Sequence, residues 1–143
     1  MDGLIDLDNK LHVFTRAPNE ADLRDLSRAG IRSVVNLRAP GENGEVLAPV
    51  TEGEVAAKSG LAYLSFPVTP ADLNARTAST IRAEMEQLPT PIAIHCASGK
   101  RASLMALAHW AHRQDAGASE AAAKAEAAGL KVSEADLQPL IEP

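Results

Sequence analysis

The sequence contains a single cysteine, which rules out an internal disulfide framework and any zinc site built from several thiolates. Aromatic residues make up only 3% of its 143 residues, so the core has to be assembled from Leu, Ile, Val and Ala. No apolar run approaches bilayer-spanning length, the best being interrupted by Arg, His or Pro. The opening MDGLIDLDNKLHV carries acidic residues and no extended apolar centre, so no signal peptide is expected. These absences give the expectation of a soluble, cytoplasmic protein with no membrane partner, in which a free thiol stays reduced. Positive charge is also in short supply. Lys and Arg number 14 against 19 Asp and Glu, a formal charge of -5, which argues against a duplex nucleic-acid partner. A small anion site remains open, because a few local donors override a weak global charge. With 45% apolar residues the chain is not of disordered composition, and its length fits a single domain over 1–143.

Strand-like and helix-like segments alternate along the chain. Lys10 to Phe14 is a short strand candidate, and Asn19 is placed to cap a helix through Leu26 that stops at Gly30. Ile31 to Leu37 is β-branched and mostly apolar, as a buried parallel strand requires. Arg38 to Pro49 reads as a loop. Thr51 and Glu54 have capping-box spacing for a helix ending at Gly60, and Leu61 to Val68 is the next strand. A helix follows from Asn74 to Leu88 with Ala78, Ile81, Met85 and Leu88 on one face. Pro91 to Cys96 is a strand and Arg101 to Arg113 a helix whose apolar face uses Leu104, Leu107, Ala108 and Ala111. The alanine-rich tail reads as two packed helices separated at Gly129, the second capped by Ser133 with Asp136. Such β-loop-α units predict an α/β fold, a three-layer α-β-α domain with a mostly parallel sheet.

In open sheets of this kind, ligands collect where strand carboxyl ends meet helix N-termini, and Cys96 stands at such a junction. The N–H groups of Ala97, Ser98, Gly99, Lys100 and Arg101 are placed to curl around an anion, and Gly99 permits a left-handed turn. A cysteine at a helix N-terminus beside Arg is favoured as a thiolate, and Arg101 offers a planar two-donor fork to oxyanions. One short element therefore supplies a nucleophile, an oxyanion cradle and a charge clamp. A small buried cysteine packed at a strand end is the competing reading of the same residues. Glu42, in the loop after Arg38, is positioned to pair with Arg101 or Arg38, or to be a solvated loop charge. His109 and His112 have metal-ligand spacing, but no third ligand accompanies them, so a surface position is expected for both and no metal or other cofactor is implied.

HCASGKRAS, together with AGIRSVVNLRAPGE (Ala29 to Glu42) and AAKSGLAYLSFPV (Ala56 to Val68), resembles the phosphatase-like domain of beta-lactamase-hydrolase-like proteins. That family is related in fold to the dual-specificity and tyrosine phosphatases. The resemblance runs from about Leu4 to Leu140 and implies a (phosphotyrosine protein phosphatase)-like fold. It implies that Cys96 is the nucleophile and Arg101 the oxyanion-binding arginine, with Ala97 to Lys100 as the cradle between them. It also implies that Arg38 borders the pocket or fixes a neighbouring loop, and that His95 orients the cysteine loop rather than acting as a base.

Three departures separate this chain from the phosphatase pattern. Only four residues lie between Cys96 and Arg101, one fewer than in the classical loop and the length met in rhodanese-like sulfurtransferases. The position after the arginine, where the pattern has Ser or Thr, is Ala102; Ser103 follows it and points about 100° away on a helix. The expected general acid aligns with Thr69, and the nearest carboxylate is Asp72, which is placed either to donate a proton or to cap the incoming helix through N–H groups near Asn74 and Ala75. The leading expectation is a cysteine-dependent phosphatase acting on a phosphorylated small molecule or phosphoprotein through a phosphocysteine. Sulfur transfer through a Cys96 persulfide and a non-catalytic anion-binding domain remain open beside it.

Overall fold

In the computed structural model, which describes residues 1–142, a five-stranded sheet is covered by helices on both faces. The strands are β1 (Leu4–Asp6), β2 (Leu11–Phe14), β3 (Ser33–Asn36), β4 (Ala62–Ser65) and β5 (Ile92–His95), in the spatial order β1-β2-β5-β3-β4. β5 lies in the middle, parallel to β2 on one side and β3 on the other, and β4 runs parallel to β3. Only β1, antiparallel to β2, breaks the parallel pattern. The predicted α/β three-layer architecture is the one observed.

The alternation of side chains along each strand divides the core between the two faces. Ile92, Ile94 and Cys96 join Leu11, Val13, Val35 and Leu37 in the larger cluster, with α3 (Ala75–Met85), α4 (Lys100–Gln114), α5 (Ala118–Ala128) and α6 (Glu134–Ile141). Ala93, Val34 and Phe14 face the other way, against α1 (Glu20–Arg28) and α2 (Pro49–Lys58). α4 is wedged between the sheet and the outer helices. Residues 102–109 are buried without a gap, which the small side chains of Ala102, Ser103, Ala106 and Ala108 permit. The apolar face read from the sequence covers only part of this helix.

Four local expectations are corrected. β1 is absent from the sequence reading, because three residues carry too little periodicity and gain their ladder only from β2. α2 starts at Pro49, with no side-chain cap at Ala48, so the Thr51–Glu54 box does not form; proline already fixes the backbone angle of a first turn. Helix α3 ends at Met85, and Leu88 closes a turn beyond it by donating its N–H to the Met85 carbonyl at 3.0 Å. His109 is buried at 5% exposure, because it lies in the enclosed middle stretch of α4, while His112 near the helix end is exposed. Among the described residues no group of His, Cys, Asp and Glu is arranged to hold a metal ion, and no helix is long and apolar enough to cross a membrane.

Candidate active site

The carboxyl ends of β3, β4 and β5 bring three chain segments together. Beyond β5 the chain turns through Cys96, Ala97, Ser98 and Gly99 directly into α4. Gly99 makes that turn at φ +98°, and since a Cβ there would meet Thr15 only at ordinary contact distance, 3.4 Å, it is the left-handed geometry that calls for glycine. The Cys96 side chain, 1% exposed, lies inside the turn, and its Sγ accepts the N–H groups of Gly99 at 3.2 Å and Ala102 at 3.4 Å. Among the described residues the N–H groups of Ala97, Ser98, Lys100 and Arg101 donate to no protein acceptor. That leaves four free donors in the loop that holds the sulfur, the supply an anion cradle needs.

Arg101 is held from three directions. Its Nη1 donates to the Val68 carbonyl at 2.8 Å, to Glu42 Oε2 at 3.0 Å and more weakly to the Leu37 carbonyl at 3.4 Å. Its Nη2 donates to Glu42 Oε1, which makes the pair a two-point fork. This fork holds the Glu42 carboxyl below its usual range, despite the opposing effect of burial. Arg101 is raised above its ordinary value, first by Glu42 and further by the nearby Cys96 sulfur. Of the positions open to Glu42, its carboxylate takes the pairing with Arg101.

Arg38, 1% exposed, serves the same loop from beneath. Its Nη2 donates to the carbonyls of Glu42 at 3.0 Å and Asn43 at 3.2 Å, fixing the turn from which Glu42 reaches Arg101. Lys100 points outward and pairs with Asp136 at 3.4 Å. The Ser103 hydroxyl donates to the Gly99 carbonyl at 2.6 Å, so it braces the loop from the first turn of α4.

Asp72 lies in a short 3-10 turn, Pro70–Asp72, and one of its oxygens accepts both the N–H of Thr69 at 3.0 Å and the Thr69 hydroxyl at 2.8 Å. These bonds, the backbone one foremost, hold its carboxyl below the usual range. The expected capping of α3 by Asp72 is therefore corrected: Asn74 accepts the Thr77 N–H at 2.9 Å, and Asp72 folds back on its own turn.

His95 faces the opposite side of the sheet from Cys96, where its Nε2 meets Glu52 Oε2 at 2.6 Å, both side chains being 1% exposed. Tyr63 adjoins the same carboxylate, and burial together with the Glu52 charge pushes its phenol well up. Asn36 Nδ2 donates to the Tyr63 hydroxyl at 3.0 Å, and Asn36 Oδ1 accepts the Arg38 N–H at 2.9 Å. A buried polar chain thus runs beneath the site from the residue before Cys96 to Arg38. Glu52, Tyr63 and Asn36 escaped the sequence reading; an acidic residue at the fourth position of an uncapped, proline-started helix is the only local signal Glu52 gives.

With this geometry in place, comparison with known proteins is informative. The family model for the beta-lactamase hydrolase-like protein, phosphatase-like domain, matches residues 7–117. The chain belongs to this family. Beta-lactamase hydrolase-like proteins from two strains of Xylella fastidiosa are each 26% identical over 102 residues, covering 71% of this chain. The match takes in only 23% of their length. Among solved structures, a candidate phosphatase from Neisseria meningitidis superimposes with a TM-score of 0.75 at 22% identity, over 91% of each chain. Tk-PTP in its active form gives 0.76 at 19% identity over 96% of this chain and 91% of its own. P. aeruginosa TpbA in complex with pTyr gives 0.71 at 16% identity over 96% of this chain and 80% of its own. At these identities the superpositions establish a shared fold, that of the tyrosine-phosphatase-like proteins.

Proposed function

We propose that the family member described here is a cysteine-dependent phosphatase, with residues 1–143 acting as one unit. The observation that carries this reading is the run of unpartnered N–H groups in the loop that encloses the Cys96 sulfur, with Arg101 at its end. In the proposed reaction the Cys96 thiolate attacks phosphorus, an S–P bond forms and the ester P–O bond breaks. The loop amides and Arg101 stabilise the equatorial oxygens, and the leaving oxygen takes a proton from an acid or from solvent. Water then attacks the phosphocysteine, giving up a proton, releasing inorganic phosphate and restoring the thiolate. Glu42 fixes the plane of the Arg101 fork, Arg38 fixes Glu42, and Ser103 braces Gly99. His95 supports the strand end through Glu52.

A second reading is favoured by two specific observations. Asp72 is tied to Thr69 and held as a carboxylate, and Ala102 supplies no hydroxyl to a departing thiolate. Sulfur transfer needs neither group. Cys96 would attack the sulfane sulfur of thiosulfate, sulfite would leave, and an acceptor such as cyanide would take the sulfur from the persulfide.

The covalent intermediate separates the two. Rapid acid quench after mixing with an aryl phosphate should leave a phosphorylated Cys96 peptide in mass spectrometry, and thiosulfate should leave that peptide unmodified. A persulfide adduct of about 32 Da after thiosulfate, with no phosphate released from any ester, would replace the phosphatase by the sulfurtransferase.

A further inference from the structure

A cavity of about 370 Å³ opens beside the Cys96 loop, between Ser98, Gly99 and Lys100 on one side and Leu130 and Lys131 on the other. Lys131 lies in the connection between α5 and α6, so sequence spacing alone does not link it to Cys96. We propose that this cavity holds the body of a small organic phosphate bearing a second anionic group, and that Lys131 selects that group. The proposal rests on the reading of the Cys96 loop as the phosphate cradle.

Size, wall chemistry and charge point the same way. A sphere of that volume is about 9 Å across, enough for one aromatic ring or a short chain and in the lower part of the range of ligand cavities. Leu130 gives the wall an apolar patch for such a body. Two of its three hydroxyls are already committed as donors, Ser103 to the Gly99 carbonyl at 2.6 Å and Thr15 to the Gly3 carbonyl at 3.1 Å, which leaves Ser98. The cationic groups of the wall are Lys100 and Lys131. Lys100 is offset by Asp136 at 3.4 Å, whereas Lys131 forms no ion pair among the described residues. An exposed cation free of a protein carboxylate, in a chain of formal charge -5, is the feature a second substrate anion would meet.

The test reads equilibrium binding to a Cys96→Ser protein, so that it does not depend on turnover. The probes are phenyl phosphate and 4-carboxyphenyl phosphate, compared by titration calorimetry. The carboxylated ester should bind roughly fivefold tighter, the scale of one solvent-screened ion pair. Adding Lys131→Ala should bring the ratio of the two affinities to about one, and Lys131→Arg should keep it. An affinity ratio near one with Lys131 in place, a preference that survives Lys131→Ala, or no binding of either ester would each overturn the proposal. Turnover by the unaltered protein separates it from the reading beneath it. A Lys131-dependent binding preference without phosphate release keeps the subsite and removes the phosphatase. Phosphate release with an affinity ratio near one does the reverse.

Discussion

Acidification below neutrality should destabilise this protein through His109. His109 sits on α4 at 5% exposure, and its Nδ1 has no hydrogen-bond partner among the described residues. Burial, reinforced by the Arg113 charge, lowers its pKa from 6.5 to about 4. Between those values the unfolded chain binds a proton that the native protein excludes, so stability falls as the pH drops through the unfolded value and levels off below the folded one. The full difference corresponds to about 3.4 kcal/mol, and the portion lost between pH 7 and pH 5 is about 2 kcal/mol. Urea unfolding followed by circular dichroism at pH 7 and pH 5 measures that loss. His109→Gln removes the titrating group, so its stability should change far less between the two pH values, whatever its absolute level. An equal pH dependence in the variant and the unaltered protein would refute the assignment.

Three further outcomes test the site and its support. Gly99→Ala should cost roughly 1–2 kcal/mol from the left-handed turn, with a larger loss in anion affinity than in stability as the loop relaxes toward negative φ; vanadate titration beside urea unfolding checks this, and unchanged affinity would show that the turn geometry is not needed. Glu52→Ala should destabilise by about 3–5 kcal/mol, since His95 and the Tyr63 hydroxyl lose a buried charged partner, and Glu52→Gln should recover much of it; a loss below about 1 kcal/mol would deny the buried pair its structural role. If Asp72 opens its Thr69 box to act as the acid, Asp72→Asn should slow phenyl phosphate hydrolysis far more than that of nitrophenyl phosphate. Equal effects on both leaving groups would confine Asp72 to its turn.

The order of strands and helices was legible because it is written in local pattern. Strand segments rich in apolar residues, the caps Asn19 and Ser133, and glycine stops lie within a few residues of what they specify. The conformation of the Cys96 loop was legible for the same reason: a strand end, a left-handed glycine and a helix start are consecutive, so Cys96, Gly99 and Arg101 form one local unit. Tertiary structure decided what joins distant segments. Glu42 meets Arg101 across 59 residues and Glu52 meets His95 across 43, and no periodicity records which charge finds which partner. β1 exists because β2 supplies its hydrogen bonds, and His109 is buried because α3, α5 and α6 enclose α4. By itself the sequence determined that Cys96, Gly99 and Arg101 share one loop between a strand end and a helix start. Packing determined how Arg101 is held, what lies beneath Cys96 and which of the two cavity-wall lysines is paired with a carboxylate, because burial and charge pairing depend on elements that meet only once the chain has folded.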